Sequence, residues 1–111
     1  MVRFSFDYDD LESSLKLIKK MCKPVGKSLS ANIRVAFVKE KENLCLLKIL
    51  KFNQYVKADI KGEGTIEISI LYMLKILQTY RGSKIFTIEA ISDTQSLING
   101  TFKVKTTNYF I

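Results

Sequence analysis

Histidine is absent from this chain, cysteine occurs twice, proline once, and long apolar runs are missing. Each shortage closes off a class of function. Without histidine, no side chain has an ordinary pKa suited to base catalysis near neutral pH. Cys22 and Cys45 both sit inside apolar stretches, so they read as buried reduced thiols rather than a disulfide or a metal site. A membrane-spanning helix needs about 18–20 consecutive apolar residues, and no stretch approaches that. The opening Met-Val-Arg-Phe-Ser-Phe-Asp has strand-like alternation and an early acid, so it does not read as a signal peptide. The expected location is the cytoplasm, with no membrane partner and no cofactor.

What is present describes a folding chain. Hydrophobic residues make up 47% and charged residues 26%, a balance typical of an ordered domain and not of a disordered one. A length of 111 residues suffices for one domain with its own core. The charge is lopsided. Eighteen Lys and Arg stand against eleven Asp and Glu, a net of +7, and residues 1–61 hold thirteen of the basic and seven of the acidic residues. Such an excess points to an anionic partner such as nucleic acid, with mere solubility as the plain alternative.

Hydrophobic period divides the chain into elements. Phe4 and Phe6 alternate with polar neighbours as a short strand. Asp9 or Asp10 then caps a helix over about residues 10–22, with Leu11, Leu15, Ile18 and Cys22 as its buried stripe and Pro24 and Gly26 as stop signals. Residues 31–39 form a strand with Ile33, Val35 and Phe37 on one face. A polar turn over 40–43 leads into residues 44–52, apolar enough to predict a strand covered on both sides. Val56, Ala58 and Ile60 alternate through another strand, and Gly62 and Gly64 punctuate the midpoint. The second half repeats this order: a strand over 65–69, a helix over 70–81 with Ile70, Met73, Leu74, Leu77 and Tyr80 as its stripe, then strands at 85–91, 95–98 and 101–107. Asn99-Gly100 is a strong hairpin signal, since a type I′ turn needs positive φ at both central residues. The predicted class is α+β, with a strand–helix–three-strand order met twice, over about 1–61 and 62–111.

Catalytic chemistry is hard to assemble from these residues. Asp7, Asp9, Asp10 and Glu12 cluster where the first helix starts, which suits capping and the helix dipole. Gly62-Glu63-Gly64 lacks the remainder of any phosphate-cradling pattern and reads as a turn. The expectation is a protein that is not an enzyme.

The lysines carry the functional signal. Lys16, Lys19, Lys20, Lys23 and Lys27 follow one another with no acid between them. At about 100° per residue, Lys16, Lys19, Lys20 and Lys23 fall within an arc of roughly 100° beside the apolar stripe. Packing the stripe onto a sheet would turn these ammonium groups outward together, suited to phosphate rather than to reading bases. A solvated helix face is the alternative reading. Few aromatics flank the lysines, which argues against stacking of single strands. Outward positions of the second helix are Leu71, Tyr72, Lys75, Gln78 and Thr79, with Leu71 and Tyr72 either ordinary surface or a contact with another chain. Lys103 and Lys105 fall on the outward face of the last strand, an expected sheet edge where lysines deter unwanted pairing.

Phe4-Ser-Phe-Asp before the Leu11–Cys22 helix, the strand at Leu29–Val38, Gly64–Ser69 before Ile70–Arg81, and Ile85–Ile91 with the Asn99-Gly100 hairpin together resemble one domain of a DNA sliding clamp of the bacterial β-subunit type. The resemblance implies two strand–helix–three-strand units related by a pseudo-twofold, both helices on one face of curved antiparallel sheets. It also implies that Lys16, Lys19, Lys20 and Lys23 face duplex DNA, with Lys75 and Arg81 as further contacts; Lys27, from the same acid-free run, is a further DNA-binding candidate on charge alone. Clamp subunits carry two or three such domains, so a lone domain reaches a ring only by self-association through its edge strands. The implied function is a non-enzymatic, DNA-associated processivity or tethering factor acting in replication as an oligomer. Two alternatives stand beside it: an adaptor that binds protein through a sheet edge or through Leu71 and Tyr72, and a phage or mobile-element regulator that does not encircle DNA.

Overall fold

In the computed structural model, which describes residues 1–22 and 33–110, nine strands and two helices follow the changes of hydrophobic period closely. β1 (Arg3–Asp7) runs directly into α1 (Tyr8–Cys22). β2 (Arg34–Lys41), β3 (Leu44–Ile49), β4 (Phe52–Lys61) and β5 (Thr65–Ser69) follow, then α2 (Ile70–Thr79), β6 (Ile85–Ala90), β7 (Gln95–Ile98), β8 (Phe102–Lys105) and β9 (Thr107–Tyr109). No helix among the described residues is long and apolar enough to cross a membrane.

Period two gives every strand one buried face, seen in Phe4 and Phe6 of β1, Val35 and Phe37 of β2, and Phe86 and Ile88 of β6. Phe4, Phe6 and Phe37 meet at centroid distances of 5.7–6.3 Å and form the aromatic centre of the core. α1 contributes Tyr8, Leu11, Leu15 and Ile18 to this core, and α2 contributes Ile70, Met73, Ile76 and Leu77. Both helices therefore lie on the buried side of the sheet, their stripes pressed against it.

The strands do not build the expected pair of clamp-like units. They form one sheet in the order β8-β7-β6-β1-β4-β3-β2-β5-β9, an antiparallel, nearly closed barrel. Hydrogen bonding ignores the boundary at residue 61. β1 lies between β4 of its own half and β6 of the other, and β2 pairs with β5. Each half therefore leaves strands unpaired that only the other half satisfies, and the repeated order of elements does not correspond to two repeated units.

One extended stretch brings the ends of the sheet together. β8 pairs with β7 and β9 with β5, so the two ends of the strand order are joined through Thr106. The Thr106 N–H donates to the Thr94 carbonyl at 3.0 Å and the Asn108 N–H to that of Asp93 at 2.9 Å. These bonds carry the β7–β8 ladder on alongside β9. Inside the seam Ser96, Thr106 and Asn108 are buried and mutually bonded, and the Asn108 amide donates to the Gln95 carbonyl at 2.9 Å. Polar residues are tolerated here because each finds a partner.

Local geometry refines three further expectations. The run over residues 44–52 is not one doubly covered strand, because it breaks at Leu50, which has φ +52°, into a hairpin pairing Ile49 with Phe52. Asn99 and Gly100 do take positive φ, +50° and +76°, as an Asn-Gly turn requires. Gly62 and Gly64 serve close packing: an added Cβ would fall 1.7 Å from the Met1 carbonyl oxygen at Gly62 and 2.7 Å from that of Tyr109 at Gly64.

Candidate functional site

α1 begins at Tyr8, at least two residues earlier than its acids suggested. Asp7, not Asp9 or Asp10, is the cap: its carboxylate accepts from the Asp10 N–H at 3.0 Å. Asp9 and Asp10 occupy the first turn and Lys19 and Lys20 the last, so each sign meets the end of the helix dipole that favours it. With Leu11, Leu15 and Ile18 buried, the intervening positions turn to solvent. Lys16 is exposed and pairs with Glu12 at 3.5 Å, one turn back. Lys20 is exposed, Lys19 half-buried, and Leu17, next to Lys16, has 46% of its surface exposed. Neither Lys19 nor Lys20 forms an ion pair among the described residues, and positions 13–33 contain no acid. Lys23 and Lys27 lie outside the described residues.

The α2 candidates are placed elsewhere. Lys75 is exposed on the outward side of that helix. Arg81, just past its end, stands close enough to Tyr8 for its charge to act on the phenol. The Tyr8 hydroxyl lies against the Leu77 carbonyl and 3.3 Å from the Glu12 carboxylate, which fixes the start of α1 against the end of α2. Burial and the nearby Glu12 raise the Tyr8 pKa, while Arg81 opposes them. Because α1 rises about 1.5 Å per residue, Lys20 lies roughly 18 Å along the axis from Tyr8. Arg81 therefore belongs to the acidic end of α1 and does not join the lysine cluster.

Leu71, Tyr72, Lys103 and Lys105 were expected to contact other chains. Tyr72 and Lys105 line one shallow groove, together with Arg34, Ser69, Thr106 and Thr107. Leu71 is half-buried, and Lys103 is exposed two residues before Lys105 on β8. Arg34 is the residue that sequence reasoning missed. Its guanidinium donates to the Glu67 carbonyl at 2.9 Å and the Thr107 hydroxyl at 3.0 Å, holding it across β5 and β9. No local signal marks it, because its neighbours come from strands distant in sequence.

Elsewhere the chemistry is sparse. An open groove near the start of α1 mixes Asp7, Asp10 and Asp59 with Lys41 and Lys57. No group of three or more acidic or cysteine side chains is placed to share a metal ion among the described residues. Cys45 is buried, and burial pushes its thiol up to about 12, so at neutral pH it is a protonated, weak nucleophile. No protein-family model matches the chain, and no curated protein matches it.

Proposed function

We propose that this protein binds duplex DNA through its phosphates, without catalysis, using the outward face of α1. The observation that carries the reading is the set of Lys16, Lys19 and Lys20 on a helix whose adjacent stripe is buried, in a segment free of acids between residues 13 and 33. Only Lys16 has a carboxylate partner among the described residues, and an exposed i,i+4 pair is weak enough for a phosphate to replace. Complementing the helix dipole needs no more than the last-turn lysines, so Lys16 exceeds what α1 itself requires. With the clamp-like architecture set aside, the reading rests on charge and placement, and a tethering role would require self-association.

Binding through phosphates predicts strong salt dependence, with a log–log slope of about −0.9 for each phosphate neutralised. The triple variant Lys16→Glu, Lys19→Glu, Lys20→Glu should fold normally and lose binding to a random-sequence duplex in a gel-shift titration. Unchanged affinity in that variant would overturn the proposal. Light scattering with and without duplex separates tethering by an oligomer from binding by a monomer.

A further inference from the structure

The least explained part of the surface is the outer edge of β8. Backbone groups of successive residues point to opposite edges of a strand. The N–H groups of Thr106 and Asn108 point toward the chain preceding β7, so those of Lys103, Lys105 and Thr107 point the other way. Thr107 meets Glu67 of β5 there. β5 then ends at Ser69 and becomes α2, leaving Lys103 and Lys105 with no strand opposite among the described residues. An unpaired ladder edge remains between the end of β9 pairing and the β7–β8 hairpin.

Basic side chains predominate around this edge, with Glu67 the acid at its β9 end, beside Tyr109 and Arg34. Opposite Lys103 and Lys105 on β7 stand Leu97 and Gln95, neither of them an acid. Neither lysine forms an ion pair among the described residues. Arg34 borders the same groove as Lys105, and Tyr72 supplies an exposed ring beside them. On the inward side of the edge Phe102 is 45% exposed. Edge lysines repel a strand that carries its own positive charge. On β4 the stretch Asn53, Tyr55 and Lys57 lies beyond the end of β1, but there α1 sets Asp10 beside Tyr55 and Lys57. Joining two copies through their β8 edges would set lysine against lysine.

We propose that the free edge of β8 accepts an acidic extended segment of a partner protein as an added strand. The partner's backbone bonds to the N–H and carbonyl groups of Lys103 and Lys105. Its acidic side chains, on alternate positions, meet Lys103, Lys105 and Arg34, and its intervening apolar side chains cover Phe102. This does not depend on α1 binding DNA, since the two surfaces share no residue.

Amide hydrogen exchange read by NMR tests it, with two short peptides as probes, one alternating valine and glutamate and the other valine and lysine. The acidic peptide should slow exchange at the Lys103 and Lys105 amides about tenfold, and the basic peptide should leave them unchanged. Lys105→Pro removes a donor that faces away from β7, so the fold tolerates it, and protection at Lys103 should be lost. Lys103→Glu with Lys105→Glu should exchange the preference to the basic peptide. The triple α1 variant should retain the response. Equal protection by both peptides, no protection by either, or protection that rises with protein concentration alone would overturn the proposal, the last by showing a second copy as occupant.

Discussion

α1 and α2 cover the same side of one sheet with opposite chemistry outside. Among the described side chains each buries four, Tyr8, Leu11, Leu15 and Ile18 on α1 and Ile70, Met73, Ile76 and Leu77 on α2, the side chain of Cys22 lying outside the described ones. Their ends differ. α1 has the Asp7 cap, acids in its first turn and lysines in its last. α2 has Ser69, whose hydroxyl accepts from the Tyr72 N–H, with no acid in the first turn and no base in the last. Core formation thus asks for the same stripe from both helices and leaves their outer positions open. The charge on α1 is not a requirement of packing, which is why it is read as functional.

The largest effect concerns what the helices share. Leu15→Ala on α1 and Met73→Ala on α2 each remove a side chain with no solvent exposure, so each should cost about 2–5 kcal/mol in urea unfolding. Comparable losses would establish that both helices are integral to the core. A loss below about 1 kcal/mol at Met73 would break the comparison, making α1 the only helix the fold depends on.

Much of this was legible locally, because stripes and alternation are properties of neighbouring residues. Leu11, Leu15 and Ile18 of α1, Ile70, Met73 and Leu77 of α2 and the outward placement of Lys16 and Lys20 follow from period, and the Asn99-Gly100 turn from its residue types. Buried Ile76 lies outside the expected stripe, and Leu74 and Tyr80 within it are only partly buried. The barrel was not legible locally. Thr106 reads as one more alternating residue, and nothing nearby shows that it joins the two ends of a sheet, or that Asn108 is buried because Ser96 and Thr106 satisfy it. Pairing of β1 with β6 and β2 with β5 links residues far apart in the chain, so a repeated order of elements was mistaken for repeated units. The Leu50 turn was missed for a related reason, since leucine at positive φ has no turn signature and the hairpin pairing sustains it. Arg34 escaped notice because its site is made by β5 and β9.

A smaller effect sharpens the difference between the outer faces. Neutralising Lys19 or Lys20 to Gln should reduce the salt slope of duplex binding by about 0.9 each. Lys16→Gln should change it less, because Glu12 already competes for that ammonium. Lys75→Gln and Arg81→Gln should leave the slope within half of that value, since they stand on α2 and beside the acidic start of α1. Equal slopes for all five variants would mean that the excess charge acts diffusely and that α1 is not a distinct surface.

The smallest effect sits where the helices touch. Tyr8→Phe removes the hydroxyl between the Leu77 carbonyl and Glu12, at an expected cost of about 1 kcal/mol at neutral pH. The cost stays modest because the Leu77 carbonyl keeps the Tyr80 N–H at 3.2 Å and is not orphaned. Alkaline titration separates this contact from simple packing. Burial, and then Glu12, raise the Tyr8 pKa above 10.0, so above that pH the unfolded chain releases a proton that the folded chain keeps. Fewer protons bound in the unfolded state means stability falls as pH rises. Cys45, raised from 9.0 to about 12, acts in the same direction and starts lower, so the decline between pH 9 and 10 should persist in Tyr8→Phe. Above pH 10 the variant's urea midpoint should fall less steeply than that of the parent protein. Arg81→Gln removes the opposing charge, raises the Tyr8 pKa further and should extend the decline to higher pH. Identical alkaline profiles for Tyr8→Phe and the parent would show that the phenol is not what couples the start of α1 to the end of α2.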